Sequence, residues 1–320
     1  MSNLVPNQTK EIRTFEAIDE KAREFIANSK ASNTVQAYRK DWDHFVAWCA
    51  DHGVDSLPAT TMTVARYLTD IQDAYKVSTL QRRLAAINAA HRAAEQDVFS
   101  TRLEPLHSLW QGIIRTKGTA QEKKAPALTD DVRAMVDTLD GRLIGIRDRA
   151  MLLMGFAGAL RRSELASLNV SDIEFIPQGI LVTIRRSKTD QTGEGQVIGL
   201  PFGSTFETCP VRSLQAWLEA SNLSEGPLFR AIDRHGNMKE AMTDRTVARV
   251  VKRCAEAAGL DAEHYAGHSL RAGLATSAAL AGESLTDVMR QTRHKSEKVA
   301  RGYVRVTDAF RNNVASKVGL

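Results

Sequence analysis

The chain has 320 residues, which is long enough for two domains that each bury a sizeable core. Apolar residues make up 43% of the chain and charged residues 25%, and these proportions exclude a disordered, collagen-like or mucin-like protein. The net charge of +5 is compatible with a polyanionic partner without identifying one. No apolar run approaches the roughly 20 residues that cross a bilayer, and residues 1–11 contain no apolar signal core. We therefore expect a cytoplasmic protein with no membrane partner.

The first third of the chain predicts a series of helices. Apolar and aromatic residues recur at helical spacing over 32–50, and Ser78 with Gln81 resembles a capping box that opens a second helix. A third helix is predicted around 103–114. Residues 1–115 are therefore expected to form a helical N-terminal domain.

The segment 116–127 is predicted to be an interdomain linker, because it has almost no large apolar residue and because Gly118 and Pro126 interrupt any helix. The rest of the chain, 128–320, is expected to form a second domain that ends in a C-terminal helix. Its apolar periodicity predicts helices over 129–139, 145–168, 210–221, 243–258, 267–281 and 284–292. The last of these is expected to open at Ser284, with Asp287 three residues later.

Between these helices the periodicity changes to that of strands. Ile180, Val182 and Ile184 alternate with residues of the opposite face, and an apolar run over 197–200 follows a turn-rich stretch. This pattern predicts a β-hairpin. The predicted fold is thus mainly α-helical with a small β-sheet, in two domains.

Polar residues that packing does not require occur at four places. In G-A-L-R-R-S-E-L, Arg161 and Glu164 are three positions apart and share a helical face. In R-R-S-K-T-D, Lys188 lies at the mouth of the predicted hairpin turn. Taken singly, the first motif is equally well explained as a surface ion pair and the second as a solvated hairpin tip.

The other two places combine histidine with cations. G-H-S-L-R-A-G has His268 and Arg271 three positions apart at the start of a helix, which aims a titratable group and a permanent cation together. T-R-H-K-S-E-K-V-A-R-G-Y sets His294 and Tyr303 in a strongly basic stretch. Taken alone, His268 is also explained as a buried structural histidine, and Tyr303 as a surface aromatic.

Together these places offer arginine, histidine, lysine and tyrosine, without a cluster of carboxylates. Arginine binds phosphate oxygens bidentately, and fixed cations stabilise a pentacoordinate phosphorus transition state, so the set suits a phosphodiester. A metal-dependent nuclease would show several Asp or Glu residues. A zinc site at His264 and His268 would still need a third ligand and a carboxylate base. The three cysteines, Cys49, Cys209 and Cys254, are odd in number and share no ligand spacing, so neither a disulfide framework nor a thiolate zinc site is expected.

In this ordered set of motifs the sequence resembles the tyrosine recombinase (phage integrase) family. The resemblance extends from the helical N-terminal half to Tyr303. It implies an enzyme that cleaves and rejoins DNA at specific sites: Tyr303 attacks the scissile phosphate, forms a 3′-phosphotyrosyl link and frees a 5′-hydroxyl. Because the ester retains the bond energy, the resemblance implies neither ATP nor a metal.

Three groups are implied to bind the scissile phosphate. Arg161 and Arg271 are assigned to its non-bridging oxygens, and His294 to a third hydrogen bond. The family often has Leu-Gly or Gly-Gly immediately before the residue equivalent to His294. Here Thr292 and Arg293 occupy those positions, and Arg293 is a candidate DNA contact.

Three further groups are implied to move protons or to orient the groups that do. Lys188 is the candidate general acid on the leaving 5′-oxygen, and His268 is the candidate base or proton relay. Glu164, one turn from Arg161, is expected to orient these partners.

Recognition of the DNA sequence is assigned to other residues. The helix opened by Thr243 carries a basic stripe that resembles the family's major-groove helix, although a solvated charged face has the same pattern. The residues of this stripe are Arg245, Arg249, Lys252 and Arg253. The matching candidates in the N-terminal domain are Gln81, Arg82 and Arg83. The resemblance implies that the two domains close on double-stranded DNA as a C-shaped clamp.

The tail after Tyr303 has apolar residues on one helical face. In the family such a tail docks on a neighbouring subunit of a homo-tetramer that holds two DNA sites; a helix folded back on its own domain is the alternative. We expect a free monomer that is encoded by a bacterium, phage or plasmid and is associated with the nucleoid.

Two kinds of rival function remain open. One is a type IB topoisomerase-like or transposase activity. The other is a non-catalytic DNA-binding protein, but such a protein would gain nothing from Tyr303 and Lys188 at the positions of the family's catalytic residues.

Overall fold

The computed structural model describes residues 32–119, 124–185, 195–294 and 296–303. The chain divides into two compact units, Met1–Gln121 and Glu122–Leu320, and each has a hydrophobic core of its own. The division falls inside the segment 116–127 that the sequence assigns to a linker. Over the described residues, no helix is long and apolar enough to cross a membrane.

The described part of the first unit consists of helices. They are α1 (Ser32–Asp51), α2 (Thr61–Ile71), α3 (Val77–Ala93) and α4 (Leu106–Lys117). Helices α1, α3 and α4 were predicted, whereas α2 was not, although Thr60 caps it by accepting a hydrogen bond from the backbone N–H of Thr63. The predicted capping box at Ser78 is wrong: α3 begins at Val77, so Ser78 lies inside its first turn.

The second unit is mainly helical with two small antiparallel sheets. Its helices are α5 (Thr129–Asp137), α6 (Leu143–Ala157), α7 (Arg162–Ser167), α8 (Pro210–Ser221), α9 (Asp244–Ala257), α10 (Ser269–Ala281) and α11 (Leu285–Thr292), followed by α12 over 297–303. The second half of helix α6, residues 150–157, is apolar on all sides and lies at the centre of the core, where Met151, Leu152 and Met154 are fully buried. The predicted caps of α9 and α11 are present: Thr243 and Ser284 each accept a hydrogen bond from the backbone three residues later.

The single helix predicted over 145–168 is wrong, since the chain turns between α6 and α7. Ala159 has a φ of 44°, and the backbone N–H of Leu160 reaches back to the carbonyl of Gly155 at 3.0 Å. The turn ends α6, sets Arg161 immediately before α7, and leaves the Ala159 carbonyl outside the helical hydrogen bonds.

The predicted hairpin is confirmed as strands β2 (Gly179–Ile184) and β3 (Gln196–Pro201), which pair in antiparallel register from Gly179 with Pro201 to Ile184 with Gln196. An unpredicted strand, β1 (Ile173–Ile176), completes the order β1-β2-β3. Its four residues are only half-buried or exposed, so they show no alternation. The second sheet, β4 (Arg230–Ile232) with β5 (Met238–Ala241), is equally short and was also missed. Lys188 lies outside the described residues.

The last residues of the predicted linker belong to the second unit. The N–H of Ala125 donates to the carbonyl of His264 at 2.7 Å, and that of Ala127 donates to Ser269 at 2.9 Å. Gly273 permits this approach, since a Cβ there would lie 1.8 Å from the Ala127 oxygen. The start of α10, where His268 and Arg271 lie, is therefore fixed from outside by backbone contacts.

Candidate active site

Two histidines lie against Tyr303 in α12, one at its hydroxyl and one at its ring. The Nε2 atom of His268, immediately before α10, lies 3.0 Å from the phenolic oxygen. The ring of His294, just after α11, stacks on the Tyr303 ring with 5.6 Å between centroids. Burial raises the pKa of Tyr303, and the charges of Arg271 and Arg161 oppose that rise. The phenol therefore carries its proton at neutral pH, with an imidazole nitrogen at hydrogen-bond distance.

Arg271 is the most completely buried cation near this tyrosine, with an exposed fraction of 0%. Its Nη1 donates to the Ala159 carbonyl at 2.8 Å, while its Nε and Nη2 have no protein partner. Burial, together with the neighbouring charges of Arg161 and Arg293, lowers the pKa of Arg271 to about 10. The side chain thus stays cationic at neutral pH, with donors left for an anionic ligand.

Glu164 holds a second arginine beside this group. The carboxylate accepts from the Arg161 side chain at 2.5 Å and from the Arg161 backbone N–H at 2.9 Å. Burial acts to raise the pKa of Glu164, but these hydrogen bonds and the nearby charge of Arg293 outweigh it and lower the pKa overall. The ionised carboxylate fixes the direction of the Arg161 guanidinium.

Arg293 completes the network, and its burial does not fit the prediction that it contacts DNA. Its side chain is 5% exposed and its Nη2 lies 2.9 Å from the second oxygen of Glu164. The same guanidinium donates to the carbonyls of Gly158 at 2.9 Å and Ala159 at 3.1 Å. Sequence reasoning missed this role because the partners are more than 120 positions away; the only local signal was an arginine where glycine is common.

The state of His294 follows from its neighbours. The Thr292 hydroxyl donates its proton to the Val288 carbonyl at 2.6 Å and lies 2.7 Å from Nδ1 of His294, so the neutral ring donates from Nδ1 and leaves Nε2 as an acceptor. Burial and then the charges of Arg271 and Arg161 lower the pKa of His294 to about 4. The ring is neutral at pH 7 without a bound anion.

Six of the seven predicted catalytic residues are thus brought together from three separate stretches of the chain. They are Arg161, Glu164, His268, Arg271, His294 and Tyr303. The seventh, Lys188, lies outside the described residues.

The histidine pair considered for zinc does not converge. The side chain of His264 is 70% exposed and faces Asp261, whereas His268 faces Tyr303. In the described ranges no group of three His, Cys, Asp or Glu side chains could hold a metal ion.

The cations of the basic stripe on α9 differ in whether a carboxylate pairs with them. Arg245 and Arg249 are exposed, and Lys252 lies 3.4 Å from Glu263. Arg253 is also 51% exposed, but its guanidinium is paired with the fully buried carboxylate of Asp148. The free face of α9 is therefore formed mainly by its first half.

In the first unit the three candidate DNA contacts also differ. Gln81 is exposed, and Arg82, 47% exposed, is paired with Asp41 at 2.7 Å. Arg83 is buried: it donates to the Tyr67 hydroxyl at 2.5 Å and lies 4.0 Å from the centre of the Tyr75 ring. Its position on the inner face of α3 does not fit a DNA contact.

The model of the phage integrase family matches residues 128–309, more than half of the chain, and a phage integrase N-terminal SAM-like domain matches residues 24–97. The chain belongs to the phage integrase family. It is 40% identical over 314 residues to an integrase/recombinase XerD homolog of Selenomonas ruminantium, covering 96% of this chain and 91% of that protein. It is 25% identical to the Cre recombinase of Escherichia phage P1, over 83% of this chain and 81% of that one. The chain is therefore a tyrosine recombinase, an enzyme of site-specific DNA recombination.

Solved structures show that this recombinase shares the fold of DNA-bound relatives. XerH recombinase in a post-cleavage complex with difH DNA matches with a TM-score of 0.60 and 16% identity, over 81% of this chain and 72% of that one. A lambda integrase dimer bound to a core site matches with a TM-score of 0.58 and 17% identity, over 91% and 95% of the two chains.

Proposed function

We propose that this recombinase cleaves double-stranded DNA through Tyr303, with a covalent 3′-phosphotyrosyl intermediate and without a metal or ATP. The observation that carries the proposal is the Tyr303 hydroxyl, 3.0 Å from the Nε2 of His268, beside the buried guanidinium of Arg271. A phenol needs both a proton acceptor and stabilisation of negative charge to act as a nucleophile at neutral pH.

In the cleavage step the Tyr303 oxygen bonds to the scissile phosphorus while the bond from phosphorus to the 5′-oxygen breaks. The phenolic proton passes to His268, and the leaving oxygen takes a proton from a general acid, for which Lys188 is the candidate. Rejoining reverses these transfers when a 5′-hydroxyl attacks the phosphotyrosyl ester. Phosphodiester bonds are conserved, so the cycle requires no energy source.

Arg161 and Arg271 stabilise the two non-bridging oxygens as negative charge accumulates on them. Burial lowers the pKa of His294, and the charges of Arg271 and Arg161 lower it further; an anionic phosphate offsets those charges, which favours protonation of Nε2 and a hydrogen bond to the phosphate. Glu164 orients Arg161 throughout.

On the DNA, the exposed cations of α9 and those of the first unit contact the duplex. Recombination between two sites requires four active subunits, and a homo-tetramer assembled from free monomers supplies them. A lambda integrase tetramer bound to a Holliday junction has a related fold, with a TM-score of 0.56 and 17% identity. The enzyme acts in the cytoplasm, on the nucleoid.

The test is covalent capture on nicked duplexes of random sequence, which lose the short 5′-hydroxyl strand after cleavage and so trap the adduct. The wild-type enzyme, in EDTA and without ATP, should form a complex that survives SDS and heat. Tyr303→Phe should bind the same DNA without forming it, whereas Tyr265→Phe, which alters a tyrosine hydroxyl elsewhere in the unit, should retain it. An adduct in Tyr303→Phe, or none with the wild type, rejects the proposal. Relaxation of plasmids that lack the captured site would instead favour a topoisomerase-like activity.

A further inference from the structure

The residue before His294 has a backbone conformation that a side chain disfavours. Arg293 ends α11 with φ 56° and ψ 42°, in the left-handed region where glycine has no steric penalty. The steric cost of an arginine at this position must therefore be offset by contacts of its side chain, which distinguishes Arg293 from the exposed Arg290 of the same helix.

Those contacts join the two phosphate-binding arginines. Arg293 binds the oxygen of Glu164 that also accepts from the Arg161 backbone, while the other oxygen holds the Arg161 guanidinium. Arg293 also donates to the Ala159 carbonyl, which is the acceptor for Arg271. A single buried guanidinium thus touches the anchors of both Arg161 and Arg271.

The same residue fixes the start of the His294 loop. Its Nη1 donates to the carbonyls of Gly158 and Gln291, so the end of α11 is tied to the turn between α6 and α7. Three of the phosphate-contacting groups are therefore positioned relative to one another through residue 293.

We propose that Arg293 is a positioning residue for strand cleavage, which sets the spacing of Arg161, Arg271 and His294 without touching DNA. The proposal rests on the function proposed above, because it takes those three groups as the phosphate contacts. A DNA-contacting arginine would be accessible, whereas Arg293 is 5% exposed. A purely structural arginine would not connect the anchors of the reacting groups.

The test uses Arg293→Gly, which removes the guanidinium and suits the backbone angles, so that any defect comes from the lost contacts. With the nicked substrate, we expect single-turnover adduct formation to slow by about 10- to 100-fold, the range expected when reacting groups are displaced by about 1 Å. The dissociation constant for DNA and its salt dependence should stay unchanged. Arg293→Lys should recover part of the rate, and Arg290→Ala, a charge removed from the exposed side of the same helix, should cleave like the wild type.

A double-mutant cycle with Glu164→Gln separates positioning from general loosening of the fold. If Arg293 acts through Glu164, adding Glu164→Gln to the Arg293→Gly enzyme should slow cleavage further by less than about threefold. The inference is overturned if the two effects are fully additive or if Arg293→Gly cleaves at the wild-type rate. A weaker salt dependence of DNA binding by Arg293→Gly also overturns it. The same experiment includes the wild type and Tyr303→Phe. If the wild type forms the adduct and Tyr303→Phe does not, a failed test of Arg293 leaves the proposed function standing.

Discussion

The Nε2 atom of His268 and the phenolic oxygen of Tyr303 lie 3.0 Å apart, although 35 positions separate the two residues in the chain. Tyr303 has a raised pKa, so its proton must be removed before or during attack on phosphorus. His268 is the side chain at hydrogen-bond distance from that proton.

We predict that His268→Ala slows adduct formation by about 10²- to 10⁴-fold, the usual effect of removing a general base. The residual rate should rise continuously with pH through the alkaline range, because only solvent then removes the proton of a phenol with a raised pKa. Added imidazole should restore part of the rate. Single-turnover assays between pH 6 and about 10 measure both effects; a small, pH-independent defect would contradict the assignment.

Arg271 should be required for catalysis but not for stability. Its buried guanidinium has two nitrogens without a partner, and the Ala159 carbonyl keeps the hydrogen bond from Arg293 if Arg271 is removed. We expect Arg271→Met to abolish adduct formation and to raise the free energy of unfolding by about 1 kcal/mol, as when a buried charge is replaced by an apolar side chain of similar volume. Urea unfolding and covalent capture on the same preparation test this. A clear loss of stability in Arg271→Met would show that the Arg271 guanidinium has all of its hydrogen-bond partners in the folded protein.

His294 should make stability depend on pH in a defined window. Its folded pKa of about 4 lies below the ordinary value of about 6.5, so between these pH values the unfolded chain binds the proton more tightly. The stability contributed by the neutral ring is therefore present above about pH 6.5 and is lost as pH falls towards 4. With allowance for solvent, because the ring is only half-buried, we expect a loss of about 1 kcal/mol between pH 7.5 and 5 relative to His294→Gln. Parallel pH profiles for the two proteins would contradict the lowered pKa.

Two arginines of α9 should give opposite results when replaced by alanine. Arg245 is exposed, so Arg245→Ala should weaken DNA binding, reduce the salt slope of log K by about 1, and leave unfolding unchanged. Arg253→Ala removes one guanidinium from the fully buried Asp148 and should lower the free energy of unfolding by about 1 kcal/mol. Salt titrations of DNA binding and urea unfolding, made on both variants, distinguish the two roles. Equal salt slopes for both variants would place both side chains on the DNA.

Local sequence patterns predicted much of the fold because the forces involved act over short distances. Helices α9 and α11 were found with their caps, Thr243 and Ser284, since a cap is a contact between residues three positions apart. The β2-β3 hairpin was found because alternation reports directly which residues face the core. Strand β1 was missed because it has four residues and no alternation. Helix α2 was missed although Val64, Leu68 and Ile71 recur at helical spacing behind the capping Thr60.

The amino-acid sequence by itself determined the chemical groups of the site and their order along the chain, because residue types such as tyrosine, arginine and histidine fix what chemistry is available. The tertiary structure alone decided which cations are available for that chemistry. Arg293 was expected on DNA but is buried against Glu164, 129 positions away, and Arg253 is held by Asp148, 105 positions away. Whether a charge is free or paired depends on its nearest opposite charge in space, and no local pattern encodes that distance.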